Sequence, residues 1–129
     1  NWIDEQQRLD ATFPAGGASN ATDGLRSFKG KATYYYDQKY GVTLQYFRTT
    51  GSHDELLYNT GEPITGSASG SPNSSGVIAE VNWLPVRNLR FLLQYTAYRE
   101  FNGARNNYDG RGRNAKDNDT LYLVAWLML

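Results

Sequence analysis

Six stretches of this chain place apolar residues at every second position. In residues 89–99, LRFLLQYTAYR, one row is Leu89, Phe91, Leu93, Tyr95 and Ala97. The other carries Arg90, Gln94, Thr96 and Tyr98, with Leu92 the one exception. A repeat of two is the repeat of a β-strand, in which successive side chains point to opposite faces. The same split recurs over roughly 2–13, 26–37, 40–50, 76–86 and 119–129. No segment carries a helical period, because Gly, Pro and β-branched residues interrupt every longer window. The 10 tyrosines fit the same picture, since aromatic side chains suit a half-buried pleated surface. These patterns predict an all-β chain, one domain of 129 residues with six antiparallel strands in an up-and-down meander.

The connections alternate in length. PAGGASNATDG separates the first two strands, whereas DQK alone separates the second and third. Residues 51–75 separate the third and fourth, a tight turn at 85–88 the fourth and fifth, and NGARNNYDGRGRNAKDN the fifth and sixth. Short turns on one rim and long loops on the other are the habit of outer-membrane barrels. Mean hydropathy is −0.63, and no run approaches the eighteen apolar residues of a spanning helix. Barrel strands alternate, so neither fact excludes a membrane.

The chemistry of the two rows points the same way. Tyr34, Tyr36, Val42, Leu44, Tyr46, Val81, Trp83, Phe91, Leu93 and Tyr95 are expected to face lipid. Their aromatic members gather near strand ends, as an interfacial belt does. Arg8, Asp10, Lys29, Lys31, Gln45, Glu80, Asn82, Arg90 and Gln94 are expected to line an aqueous lumen. Burying those charges in a dry core would cost several kcal/mol each unless they were paired. Just past the apolar rows, Arg48 and Arg99 are placed to reach lipid phosphates or simply to mark where burial ends. In the first strand, Glu5 and Gln7 share a row with Leu9, Ala11 and Phe13. A bulge between Gln7 and Leu9 would repair the register.

No catalytic set, metal site or cofactor is expected. The absence of cysteine removes thiolate chemistry, disulfides and haem attachment through paired cysteines. His53, the only histidine, sits beside Ser52, but adjacent residues rarely assemble a triad. The Asn106–Asp119 loop is rich in oxygen ligands yet lacks calcium-loop spacing and carries Arg111, Arg113 and Lys116. Thirteen cationic and thirteen acidic residues balance, so nucleic acid is not an expected partner.

The ending, LQYTAYREFNGARNNYDGRGRNAKDNDTLYLVAWLML, is similar to the C-terminal end of a group of proteobacterial outer-membrane proteins. WIDEQQRLDATF and YGVTLQYFRTTGS resemble other parts of the same group. The resemblance covers nearly the whole chain, although the usual terminal aromatic is replaced by Leu129. It implies a porin-like channel or conduit in the bacterial outer membrane. Some members are associated with cytochrome c, which implies a role beside a multihaem cytochrome in electron transfer. The implied partners are outer-membrane lipid, lipopolysaccharide and a cytochrome c.

Single-chain barrels begin at eight strands, so six imply either the C-terminal part of a larger barrel or several copies closing one together. Two alternatives stand beside the conduit. One is a non-conducting structural or adhesion barrel whose loops bind partners. The other is a soluble β-sandwich or lipocalin-like binder.

Overall fold

The computed structural model describes residues 1–58 and 66–128. Among them, six strands form a single antiparallel sheet in the order β1-β2-β3-β4-β5-β6. They are β1 (Trp2–Arg8), β2 (Thr22–Tyr36), β3 (Tyr40–Gly51), β4 (Ser74–Val86), β5 (Leu89–Glu100) and β6 (Thr120–Leu127). One helical turn, α1 (Glu55–Tyr58), and one 3-10 turn (Ala115–Asn118) sit in the long loops. Each strand pairs only with its sequence neighbours, leaving β1 and β6 as open edges. The meander expected from alternation is therefore present, as an open sheet. Leu129 and residues 59–65 of the second long loop lie outside the described residues.

Both short turns form where the sequence places them. Asp37 and Gln38 adopt φ of 50° and 51°, and the Lys39 amide donates to the Tyr36 carbonyl at 3.2 Å. Positive φ at both central residues gives a turn whose twist matches the strands it joins. The second turn is Arg87-Asn88, closed by the pair Val86 and Leu89. A register shift between Trp83 and Val86 accommodates Pro85, which has no amide to give the ladder.

The pairing sorts side chains into two faces. On one, Tyr36, Tyr40, Trp83, Phe91 and Ala125 lie in one row. Tyr34, Val42, Val81, Leu93 and Leu123 form the next, and Ala32, Leu44, Ala79, Tyr95 and Leu121 the third. On the other face, Thr33, Thr43, Glu80, Gln94 and Tyr122 share a row, beside one of Lys31, Gln45, Ile78, Thr96 and Thr120.

Burial of these faces is inverted relative to a sheet over a dry core. Within β3, Leu44 is 59% exposed and Val42 53%, while Thr43 between them is 5% exposed. Val81 is 48% exposed and its neighbour Asn82 3%. Across β3–β5, side chains pack together on the polar face and stand open on the apolar one. Among the described residues no second layer covers the apolar face. Fully burying one large apolar side chain is worth about 1.5–3 kcal/mol, so this face in water would forgo the main folding force many times over.

β1 departs from the sequence expectation. It ends at Arg8, and residues 10–16 form turns anchored by the Phe13 amide donating to the Leu9 carbonyl at 2.8 Å. No bulge between Gln7 and Leu9 is needed, because Glu5 and Gln7 pair opposite Leu25 and Asp23 on the polar face.

Candidate functional site

The polar face of β2–β5 is the surface on which the chain concentrates hydrogen-bonding and charged groups. Alternation aims them there, and cross-strand register decides their neighbours. Lys31 lies opposite Gln45, Thr33 opposite Thr43, and Glu80 opposite Gln94. The Thr33 and Thr43 hydroxyls meet at 3.0 Å, and those of Ser27 and Thr49 at 2.9 Å.

A side-chain chain crosses three positions. Arg90 donates from Nε to the Asn82 Oδ1 at 2.8 Å, with a second bond from its terminal nitrogen to the same oxygen. Asn82 donates from Nδ2 to Glu80 Oε1 at 2.6 Å. The amide thus links a guanidinium to a carboxylate and satisfies a residue that is almost fully buried. Lys29 and Lys31 have no ion-pair partner among the described residues and remain exposed.

Seven of the nine residues expected on this face are brought together: Lys29, Lys31, Gln45, Glu80, Asn82, Arg90 and Gln94. Arg8 is a correction. It pairs with Thr22, which shares the parity of Phe28 and Tyr34, so Arg8 belongs to the opposite face. Asp10 is another, since β1 has ended and the residue sits in a turn. The cause is one of register. Parity along β1 alone cannot say which of its rows joins which face; the ladder to β2 decides.

The ten residues expected to face lipid all share the apolar face, and all but the half-buried Phe91 are exposed. Aromatics flank an aliphatic middle. Trp83 stacks on Phe91 at 5.6 Å at the short-turn end, and Trp2 meets Phe28 at 6.5 Å toward the long loops. From Tyr36 to Phe28 is eight residues, roughly 26 Å along the strand. A strand tilted by about 40° would then carry the band across roughly 20 Å of thickness.

Sequence reading missed two features at the long-loop rim. The first is an aromatic series that leaves the polar face and enters the third long loop. Phe47 meets Tyr98 at 5.5 Å, Tyr98 meets Phe101 at 5.1 Å, and Phe101 meets Tyr108 at 5.0 Å. Gly76 makes room for it. A β-carbon there would collide with the Ala97 carbonyl and lie 2.8 Å from the Phe47 ring. The signal available in sequence was Phe47 and Tyr98 interrupting otherwise polar rows.

The second is the interlocking of the loops. Asp54, fully buried, accepts from the Ser19 amide at 2.8 Å, the Asn20 amide at 2.9 Å and the Leu57 amide at 2.9 Å. Burial alone would raise its pKa, but these donors overcome that and hold the carboxyl at about 2. Ser67 donates to the Asn102 carbonyl at 2.7 Å, and the Ala68 amide to that of Tyr108 at 2.7 Å. First loop is thereby tied to second, and second to third.

His53 is exposed in the second loop, where its carbonyl accepts from Asn20. Among the described residues no group of three or more His, Cys, Asp or Glu side chains is placed to hold a metal ion. No helix among them is long and apolar enough to cross a membrane, which says nothing of crossing by strands. No family model, curated protein or solved structure matches the chain.

Proposed function

We propose that this sheet is wall of an outer-membrane β-barrel, a porin-like conduit whose bore is lined by the polar face. The inverted burial carries this reading: the apolar row is exposed where the adjacent polar row is packed and hydrogen-bonded. Hydrocarbon is the one surrounding in which that arrangement costs least. The open edges β1 and β6 would each leave a row of backbone groups unpaired in lipid, so further strands or further copies close the barrel.

The absence of cysteine makes the test direct. Single cysteines at Leu44, Val81 and Leu93 are expected to resist a membrane-impermeant maleimide in vesicles and to report quenching by brominated lipid. Cysteines at Gln45, Glu80 and Gln94 are expected to react from water. Equal reactivity of both sets would refute the barrel.

Conduction is a separate measurement. Glu80 is matched by Arg90 through Asn82, and Lys29 and Lys31 share the polar face with Glu5 and Asp23, so the lining is of mixed sign and the bore selects weakly. In planar bilayers the reversal potential under a salt gradient is expected to lie near zero and to shift toward the cation in K29E/K31E. A multihaem cytochrome beside or within this bore is the electron-transfer partner this reading implies, and covalent haem attachment through paired cysteines would fall to that partner.

A second reading keeps the barrel and closes it. The interlocked loops favour it, since a rim tied by Asp54 and Ser67 is suited to presenting a fixed surface to a partner. Zero conductance with the maleimide pattern intact would select this non-conducting structural or adhesion barrel.

A further inference from the structure

At the long-loop end of the apolar face, Trp2, Arg26, Phe28, Tyr46, Arg48 and Thr50 line an open cleft of about 390 Å³. Every one of these residues belongs to the apolar parity. Trp2 pairs with Phe28 and Phe28 with Arg48; Arg26 pairs with Thr50, and Tyr46 lies opposite Gly30. The aromatic row therefore stops and two guanidiniums begin within a single step of the ladder.

The two are not equivalent. Arg26 is held by Asp4 at 3.3 Å, both side chains more than half exposed. The Arg48 side chain has neither an ion-pair nor a hydrogen-bond partner among the described residues. Arginine presents a planar fork of donors that matches phosphate oxygens two at a time. The cleft thus joins an unmatched fork and a shared one to a floor of three aromatic rings.

We propose that this cleft binds the phosphate headgroup of an outer-leaflet lipid, with Arg48 as the principal ligand, Arg26 as the second, and Trp2, Phe28 and Tyr46 against the proximal acyl or sugar carbons. The inference rests on the barrel reading, which puts the apolar rows in hydrocarbon and this step at headgroup level. Continuity with the apolar face selects a lipid over free phosphate, since the ligand must satisfy rings and guanidiniums together. Asp4 works against the anion, so removing its charge strengthens the site.

The test uses the full chain in neutral detergent micelles, titrated with diphosphorylated lipid A, with the lipid retained per chain read by native mass spectrometry. Wild type is expected to retain the phosphorylated lipid and to release the dephosphorylated form. R26Q/R48Q is expected to lose about tenfold or more in retention, whereas R87Q, at the short-turn rim, is unchanged. D4N is expected to gain, an effect that damage to the fold would not produce. Inorganic phosphate at millimolar concentration is expected not to compete.

Equal retention by wild type and R26Q/R48Q, equal retention of dephosphorylated lipid, or competition by inorganic phosphate at the same concentration would overturn the site. The maleimide pattern separates this failure from that of the barrel. Failure of retention with that pattern intact removes the cleft alone, and loss of the pattern removes both.

Discussion

Asp54 is where one side chain does most to shape a loop. Its carboxylate gathers backbone amides from residues on two loops, and no aliphatic replacement can do so. D54A leaves those part-buried donors without their acceptor, at up to about 1–3 kcal/mol for each one that water cannot reach. The expected outcome is loss of amide-exchange protection at Ser19, Asn20 and Leu57, with the strands unaffected. The pH dependence has a definite sign. The folded pKa of about 2 lies below the ordinary 3.8, so the stabilisation is complete above 3.8 and is lost as pH falls toward 2. Exchange at the same three amides, followed from pH 5 to pH 2, checks it. Gly76 is the second such position. G76A is expected to displace Phe47 from Tyr98 and to destabilise by roughly 1–3 kcal/mol, as overpacking does.

At the level of elements, β3 is the cleanest strand, because Tyr40, Val42, Leu44 and Tyr46 alternate without exception against Gly41, Thr43 and Gln45. On the barrel reading L44R costs about 2–4 kcal/mol at mid-bilayer, while Q45R costs close to nothing. Urea unfolding of the vesicle-inserted protein compares them, and similar costs for the two would contradict an outward-facing Leu44. The β2–β3 turn gives an expectation independent of any membrane. Gln38 holds φ of 51°, a conformation costing a non-glycine residue roughly 1 kcal/mol, so Q38G is expected to stabilise by about that much. Alternation and turn residues made this hairpin legible in advance, since both are local. β1 was not legible to the same degree. Its seven residues carry polar side chains on both rows, and only the ladder placing Asp4 against Arg26 and Glu5 against Leu25 assigns them. The Asp4–Arg26 pair is mostly exposed and adds little stability by itself.

For the whole molecule the open sheet is the governing fact. β6 presents Leu121, Tyr122, Leu123, Trp126 and Leu127 largely uncovered along an unpaired edge. In water such an edge is a site of aggregation. On the barrel reading the chain is therefore expected to need detergent or lipid to stay dispersed, and to migrate as closed barrels on unheated gels only when its edges are paired by further strands or copies. Sheet assembly and loop interlocking are separable: D54A is expected to spare the first while releasing the second.

Side-chain alternation by itself determined six strands, their order as a meander, the two short turns and the membership of β2–β5 rows, because a period of two is set by the backbone within a few residues. Tertiary structure alone decided which face Arg8 joins, that Asp10 lies off the sheet, and how Asp54, Ser67 and Tyr108 lock the rim. The rim contacts join residues some 30 or more positions apart, and the face of Arg8 is set by its ladder partner Thr22 on the next strand, so no alternation within one strand encodes them. Only the folded sheet, too, shows that polar residues of β3–β5 pack together while their apolar neighbours stand open, since that difference comes from contacts across the strands.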